Sequence, residues 1–131
     1  NLSVAENLCI GREPLNTLGM ISHREMVVRS RKPMEQMELP IDVTRTLEEY
    51  SLAMQQMIAI ARAVDMDCKV LILDEPTRNF SPLSGGVIRK ILAEFPGAIL
   101  SISHDRKYME EVCDTVYRLT EEGLVKAEKE E

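Results

Sequence analysis

Two polar clusters in this sequence follow short apolar runs and carry side chains able to act on a phosphate ester. The first, Asp74-Glu75, comes directly after Val70-Leu71-Ile72-Leu73. Adjacent carboxylates at the end of a buried strand are costly unless a cation or a polarised water faces them. A magnesium-nucleotide site would use both acids: Asp74 toward the water shell of the metal, and Glu75 as general base toward an attacking water. The plainer alternative is a strand-end turn in which Asp74 caps the next segment, and a dipeptide does not decide between them. The second cluster, Ser101-Ile102-Ser103-His104-Asp105, also follows an apolar run. A neutral histidine at a strand end can hydrogen-bond a terminal phosphate or orient the water that attacks it, whereas a histidine on its own reads more simply as part of a loop. One helix and one strand separate the clusters, which places the acids and His104 on neighbouring strand ends, where open α/β sheets bind their ligands.

The second half of the sequence has the elements this placement needs. The apolar run 70–73, ended by Asp74-Glu75-Pro76, has the form of a strand buried on both faces of a parallel sheet. A helix is predicted over about 83–95, carrying Val87, Ile88, Ile91 and Leu92, with Pro96-Gly97 as its stop. Residues 98–102 read as a second buried strand. A helix over about 105–112, a third strand over 115–119 and a hairpin turn at Glu122-Gly123 into Leu124-Val125 follow. Strand, helix, strand, helix, strand is an α/β pattern. Residues 126–131 form a charged tail expected to fray.

The first half reads as helical. Ser3 with Glu6 has the spacing of a capping box, and Val4, Leu8 and Cys9 share a helical face, so a short opening helix is predicted, ended by Gly11 and Pro14. Ser22 with Glu25 repeats the signal before Met26, Val27, Met34 and Met37, and Pro33 implies a kink or two shorter helices. Residues 40–46 read as a connector, after which Ser51 caps a helix over 52–64 that is rich in good helix formers. The eight methionines concentrate in this half, where thioethers fill core or a coupling surface more readily than they bind metal. His23 reads as a surface residue of a first helical turn, and Tyr108 and Tyr117 read as structural.

Composition narrows the function classes. The chain has 131 residues with 16 Lys+Arg against 22 Asp+Glu, a formal net charge of −6, and its bases are scattered. That argues against direct DNA binding, which depends on neutralising many phosphates. A length of 131 residues with 44% hydrophobic residues is enough for a packed core. The longest near-apolar stretch, 52–61, contains two glutamines and falls short of the ~20 apolar residues of a membrane span. Cys9, Cys68 and Cys113 have no metal-ligand or framework spacing and read as reduced thiols. No signal-peptide pattern opens the chain, and Asn1 reads as a cut edge.

Taken together, these motifs resemble the C-terminal two-thirds of an ABC-type ATPase domain, over residues 1–125. Val70-Leu71-Ile72-Leu73-Asp74-Glu75-Pro76-Thr77 is similar to a Walker B strand with its following acid, Ser103-His104 to the switch histidine, and Ser51-Leu52-Ala53-Met54-Gln55-Gln56 occupies the place of the signature motif. Asn1 to Leu8, with Gly11-Arg12-Glu13-Pro14, resembles carbohydrate-uptake ABC ATPases. Residues 75–84 and 102–106 look more like the ribosome-acting ABC-F branch, so either one divergent gene or two segments joined near Thr77 fits. The fold implied is α/β: a helical subdomain over 1–64, then over 65–131 part of a P-loop NTPase-like, mainly parallel sheet flanked by helices in three layers.

The resemblance also implies a site. Glu75 and His104 would be catalytic, Asp74 would hold the metal's water shell, and Ser51, Gln55 and His104 would contact nucleotide, with ATP and Mg2+ as cofactors. In the family, ATP is sandwiched between two head-to-tail domains, so the implied partners are a second ABC ATPase domain or an N-terminal segment carrying Walker A. A membrane permease is implied too, or the ribosome on the ABC-F reading, and an open sheet edge would permit a homodimer. The location implied is cytoplasmic, at the inner face of the membrane for a transporter subunit. Departures weaken parts of this. No G-x-x-x-x-G-K-[ST] occurs in the sequence, so the backbone cradle and lysine for phosphates are not provided and the chain alone is expected to bind ATP poorly. Leu52 and Ala53 replace the signature glycines, Met54 its first glutamine, and Ser81 the aspartate usual after the Walker B turn.

Overall fold

The computed structural model describes residues 1–127, and the chain forms two compact units, Asn1–Lys69 and a second beginning at Val70. The first contains α1 (Val4–Cys9), α2 (His23–Gln36), a 3-10 turn at Leu47–Glu49 and α3 (Leu52–Asp65). The second contains β1 (Val70–Asp74), α4 (Pro82–Ala93), β2 (Ala98–Ile102), α5 (Arg106–Val112), β3 (Val116–Thr120) and β4 (Gly123–Ala127).

In the helical unit, α1 begins with the expected capping box. The Glu6 N–H donates to Ser3 Oγ at 3.2 Å, and the Ser3 N–H and hydroxyl each donate to Glu6 Oε2 at 2.7 Å. Two donors of its first turn that no intrahelical carbonyl can serve are taken by the connector: Val4 N–H to the Arg45 carbonyl at 2.9 Å and Ala5 N–H to the Val43 carbonyl at 2.8 Å. Val4, Ala5, Leu8 and Cys9 are buried, against Met26, Met34 and Met37 and the α3 residues Met57, Ile58 and Ala61 of the same core. Several methionines therefore are core, while Met20 is exposed.

Pro33 does not divide α2, so of the two expectations the split into two helices is not met: α2 runs as one helix of 14 residues. Pro33 lies three residues from its end, so the ring forfeits a single late backbone bond, and it is buried in the core, which offsets the loss. Beyond Gln36 the chain reverses through Glu38 at φ +54°, with Glu38 N–H bonded to the Glu35 carbonyl at 3.0 Å and Leu39 N–H to the Met34 carbonyl at 2.9 Å. That is a Schellman closure made by a residue other than glycine.

In the second unit, β1 and β2 pair in parallel, from Val70 opposite Ala98 to Asp74 opposite Ile102, with α4 as the crossover between them. Ile88, Leu92 and Tyr108 are fully buried and Leu71 nearly so. The strands differ from the expectation in burial. Val70 is 59% exposed, Ile72 78%, and Leu100 and Ile102 65% each, so one face of this ladder is bare among the described residues. Alternation is the cause: residues two apart share a face, and only the face carrying Leu71 is covered. The third strand, β3, pairs antiparallel with β4 as the expected hairpin requires, but the pair forms a separate two-stranded sheet and does not extend β1–β2. The turn between them falls at Glu121-Glu122, one residue early, and Gly123 at φ +122° opens β4. Tyr117 is 58% exposed on this hairpin, so the structural role read from sequence holds for Tyr108 alone. Of the supposed tail, Lys126 and Ala127 belong to β4, and residues 128–131 lie outside the described residues.

Candidate functional site at the ends of β1 and β2

Parallel pairing brings the two polar clusters side by side. The Glu75 N–H donates to the Ile102 carbonyl at 2.8 Å, carrying the ladder one residue beyond Asp74. Glu75 itself sits at φ +47°, a left-handed conformation that costs a side chain with a Cβ, and such strain persists where the surroundings hold it. Arg78 N–H to the Glu75 carbonyl, 2.9 Å, closes a turn with the buried Pro76 at its second position, where proline's fixed φ belongs. Ser81 then caps α4, accepting from Ser84 N–H at 3.2 Å, with Pro82 in the first turn.

His104 Nε2 stands 3.6 Å from Glu75 Oε1, with the histidine side chain 93% exposed and the glutamate 23%. This is ion-pair range for a protonated ring and too long for a hydrogen bond, and it leaves both groups with capacity for a third partner between or above them. Glu75, Thr77, Arg78, His104 and Asp105 line one open concavity. Thr77 Oγ1 donates to Asp105 Oδ2 at 2.8 Å, and Asp105 Oδ1 accepts from Lys107 N–H at 3.0 Å and Tyr108 N–H at 3.4 Å, so Asp105 is the N-cap of α5. Burial works to raise the Asp105 carboxyl. The Thr77 hydroxyl, the Tyr108 and Lys107 N–H groups and the Arg89 charge outweigh it and hold the carboxyl below the usual aspartate range. The buried Tyr108 phenol is pushed up by burial, and its oxygen, with Ser101 nearby, makes no hydrogen bond of ordinary geometry.

Of the residues singled out from sequence, Glu75 and His104 fall together here, and Asp74 ends β1 opposite Ile102 without lining the concavity. Ser51 and Gln55 belong to the helical unit. There Ser51 is the N-cap of α3, accepting from Met54 N–H at 3.4 Å, and Gln55 Nε2 donates back to the Tyr50 carbonyl at 2.9 Å. Among the described residues, no group of three or more His, Cys, Asp or Glu side chains converges as a metal cage. A cation held by Asp74 would therefore take most of its oxygens from water and a ligand, the habit of magnesium at phosphates. Thr77, Arg78 and Arg89 are the participants that sequence reasoning passed over. The signal available was positional: a hydroxyl two residues past Glu75, and an aspartate between the histidine and a helix start.

The family described as ABC transporter matches residues 1–78 of the chain. The chain belongs to that family. Its relatives include the ribose import ATP-binding protein RbsA of Hahella chejuensis, 33% identical over 119 residues, with 88% of this chain and 24% of the relative covered. The galactofuranose transporter ATP-binding protein YtfR of Escherichia coli O157:H7 is 35% identical over 120 residues, covering 92% and 24%. The chain thus spans about a quarter of the length of the curated relatives it matches. Among solved structures, the dimeric post-hydrolysis ATP-binding cassette MJ0796 bound to ADP and Pi superposes with a TM-score of 0.63 at 24% identity, over 82% of this chain and 48% of that one. This likeness supports the α/β fold of an ABC ATPase domain. The concavity offers the exposed His104 imidazole and the Arg78 guanidinium to a terminal phosphate and the Glu75 carboxylate to a water, while Asp105 is already hydrogen-bonded on both oxygens and Asp74 lies beside the concavity at the end of β1. Among these residues nothing forms a backbone cradle for the remaining phosphates.

Proposed function

We propose that this chain is part of the ATP-hydrolysing subunit of a sugar-type ABC importer, supplying the acid and histidine of one nucleotide half-site and the signature segment of another. The observation that carries the reading is the pair of adjacent parallel strand ends holding Glu75 and His104 3.6 Å apart. Bound Mg-ATP supplies an activated γ-phosphate with its charge partly neutralised. Asp74 would hold the water shell of the magnesium ion, which would neutralise phosphate charge. Glu75 Oε1 or Oε2 accepts the proton of the attacking water, from a position beside His104 at the strand ends. His104 Nε2, as an N–H donor, bonds a γ-phosphate oxygen and steadies the charge that grows there. Ser51 and Gln55, at the start of α3, serve the nucleotide of a facing ATPase domain, where helix N-terminal N–H groups favour an anion.

The partners that follow are a second ATPase domain, chain bearing a phosphate loop, and a membrane permease contacted by the helical unit, residues 1–64 in the division read from sequence. The site of action would be the cytoplasmic face of the membrane. No helix among the described residues is long and apolar enough to cross a membrane. The ABC-F reading rests on residues 75–84 and 102–106. An inert scaffold made of two joined segments rests on the absence of a G-x-x-x-x-G-K-[ST] from these 131 residues. The sugar-import relatives, aligned over 88% and 92% of the chain, favour the importer over both.

Calorimetric titration of the chain with Mg-ATP to millimolar concentration, beside Glu75→Gln and with phosphate release followed in parallel, tests this. The expected result is weak binding sensed at His104 with no turnover. Saturable binding with turnover that vanishes in Glu75→Gln would show a complete site in one chain and overturn the half-site reading. No interaction at any concentration, with His104 unmoved, would overturn the nucleotide assignment.

A further inference from the structure

The loops that follow β1 and β2 carry the two reactive side chains, and little packing holds the second of them, His104. His104 is 93% exposed at its side chain, so its position depends on the backbone to either side of it. That backbone is fastened: Asp105 N–H donates to Ser103 Oγ at 3.1 Å, and Asp105 Oδ1 caps α5 through Lys107 and Tyr108. On the opposite loop, Thr77 lies inside the turn closed by Arg78 N–H and the Glu75 carbonyl, directly after the buried Pro76. Among the described residues, the side-chain hydrogen bond that crosses from one loop to the other is Thr77 Oγ1 to Asp105 Oδ2, 2.8 Å. The Asp105 carboxylate is thereby divided, one oxygen serving its own helix and the other the neighbouring loop. Arg89, whose Nε donates to Glu111 Oε2 at 2.6 Å, adds its charge on the same side and links α4 to α5.

We propose that the Thr77–Asp105 hydrogen bond is a clasp that holds Glu75 and His104 at their mutual distance, making Thr77 and Asp105 positioning residues for the phosphoryl chemistry. The role rests on the proposed function for its purpose, and on the two loops alone for its geometry. The clasp spans residues two beyond Glu75 and one beyond His104; the Glu75 N–H stays bonded to the Ile102 carbonyl at 2.8 Å, so releasing the clasp frees the turn after Glu75, and with it the Glu75 side chain, to shift relative to the His104 loop. Its two ends are separable in function, because Thr77 touches only Oδ2 and the helix cap uses only Oδ1. Replacing Thr77 thus opens the clasp and leaves the cap.

Solution NMR of the chain reads this directly through the cross-peak between the His104 ring Hε1 and the Glu75 side-chain protons. His23 and Glu6, 3.9 Å apart in the helical unit, provide the reference pair. The cross-peak is expected in the parent chain, lost or largely lost in Thr77→Val, and restored in Thr77→Ser. Amide-exchange protection of Lys107 and Tyr108 and the reference cross-peak should stay unchanged throughout. Thr77→Ala serves if the valine chain fails to fold. A parent chain without the cross-peak, a Thr77→Val chain that keeps it at full strength, or a serine variant that does not restore it would each overturn the clasp. So would loss of the cross-peak together with α5 protection, which would mark the bond as general support for the helix. Adding Mg-ATP to the same samples separates the two ideas: an intact cross-peak with no nucleotide-dependent shift at His104 would sink the proposed function and leave the clasp standing.

Discussion

At the scale of single residues, the chemistry of this site depends on how one carboxylate differs from the next. Glu75 stands at an unfavourable backbone angle with its carboxylate 3.6 Å from His104, whereas Asp105 is occupied on both oxygens. Because Asp105 is held below its ordinary value in the folded chain, its charged form stabilises the fold above the unfolded value, and that contribution disappears as pH falls through the lower folded value. Asp105→Asn should consequently be less stable than the parent at neutral pH by about 1 kcal/mol, a typical scale for charge-assisted hydrogen bonds. The gap should begin to narrow as pH falls below about 4, the ordinary aspartate value, and should close only once pH passes the lower value of the folded carboxyl. Thermal melts of both chains across that range check it, and a gap constant with pH would show that the charge does not matter. The pairing of an acid with a histidine was legible from sequence because each cluster followed an apolar run. The Thr77–Asp105 bond was not, since it depends on which oxygen of Asp105 the helix leaves free.

Elements were readable where the signal is local and misread where it depends on neighbours. Ser3, Ser22 and Ser51 cap helices as their spacing predicts, since capping is settled within three residues of chain; Ser81, not read as a cap, does the same for α4. Strand positions were equally plain, but their burial was not, because an apolar run states what a strand can bury and not what lies over it. Pro33 misled for a related reason: position near the end of α2 and burial of its ring decide its cost, and only the second is tertiary. Left-handed turns escaped entirely, because Glu38, Asp67, Glu75 and Asn79 adopt positive φ without the glycine that would announce it. The comparison yields a prediction at this scale. Glu38 closes α2 at φ +54°, so Glu38→Gly should stabilise the helical unit by roughly 0.5–1 kcal/mol, the relief of left-handed strain less the added freedom of the unfolded chain. Denaturant unfolding followed by far-UV circular dichroism measures it, and a loss of stability would mean that the Glu38 side chain contributes more than its backbone costs. The same substitution at Glu75 would relieve similar strain and remove the proposed base, which is why strain is tolerated there.

On the scale of the whole molecule, the second unit leaves apolar surface bare. Val70, Ile72, Leu100 and Ile102 project from one face of a two-stranded ladder whose outer edges are unpaired among the described residues. Two strands bury little by themselves, and an apolar face beside open edges is a template for pairing with another strand. In a longer polypeptide, further chain can cover such a face; for these 131 residues in solution, a second copy is the cover at hand. Sedimentation velocity of the chain should therefore show a weight-average mass that rises with concentration. Ile72→Thr should reduce the rise while leaving the thermal midpoint nearly unchanged: Ile72 is already 78% exposed, so the folded chain loses little buried area, and threonine keeps a strand preference. Leu71→Thr makes the contrast, since Leu71 is 6% exposed, and the change should lower the midpoint by removing packing from the covered face. A parent chain that stays monomeric at every concentration would mean that the bare face is not adhesive, and the apolar run of β1 would then matter chiefly for placing Glu75 beside Ile102.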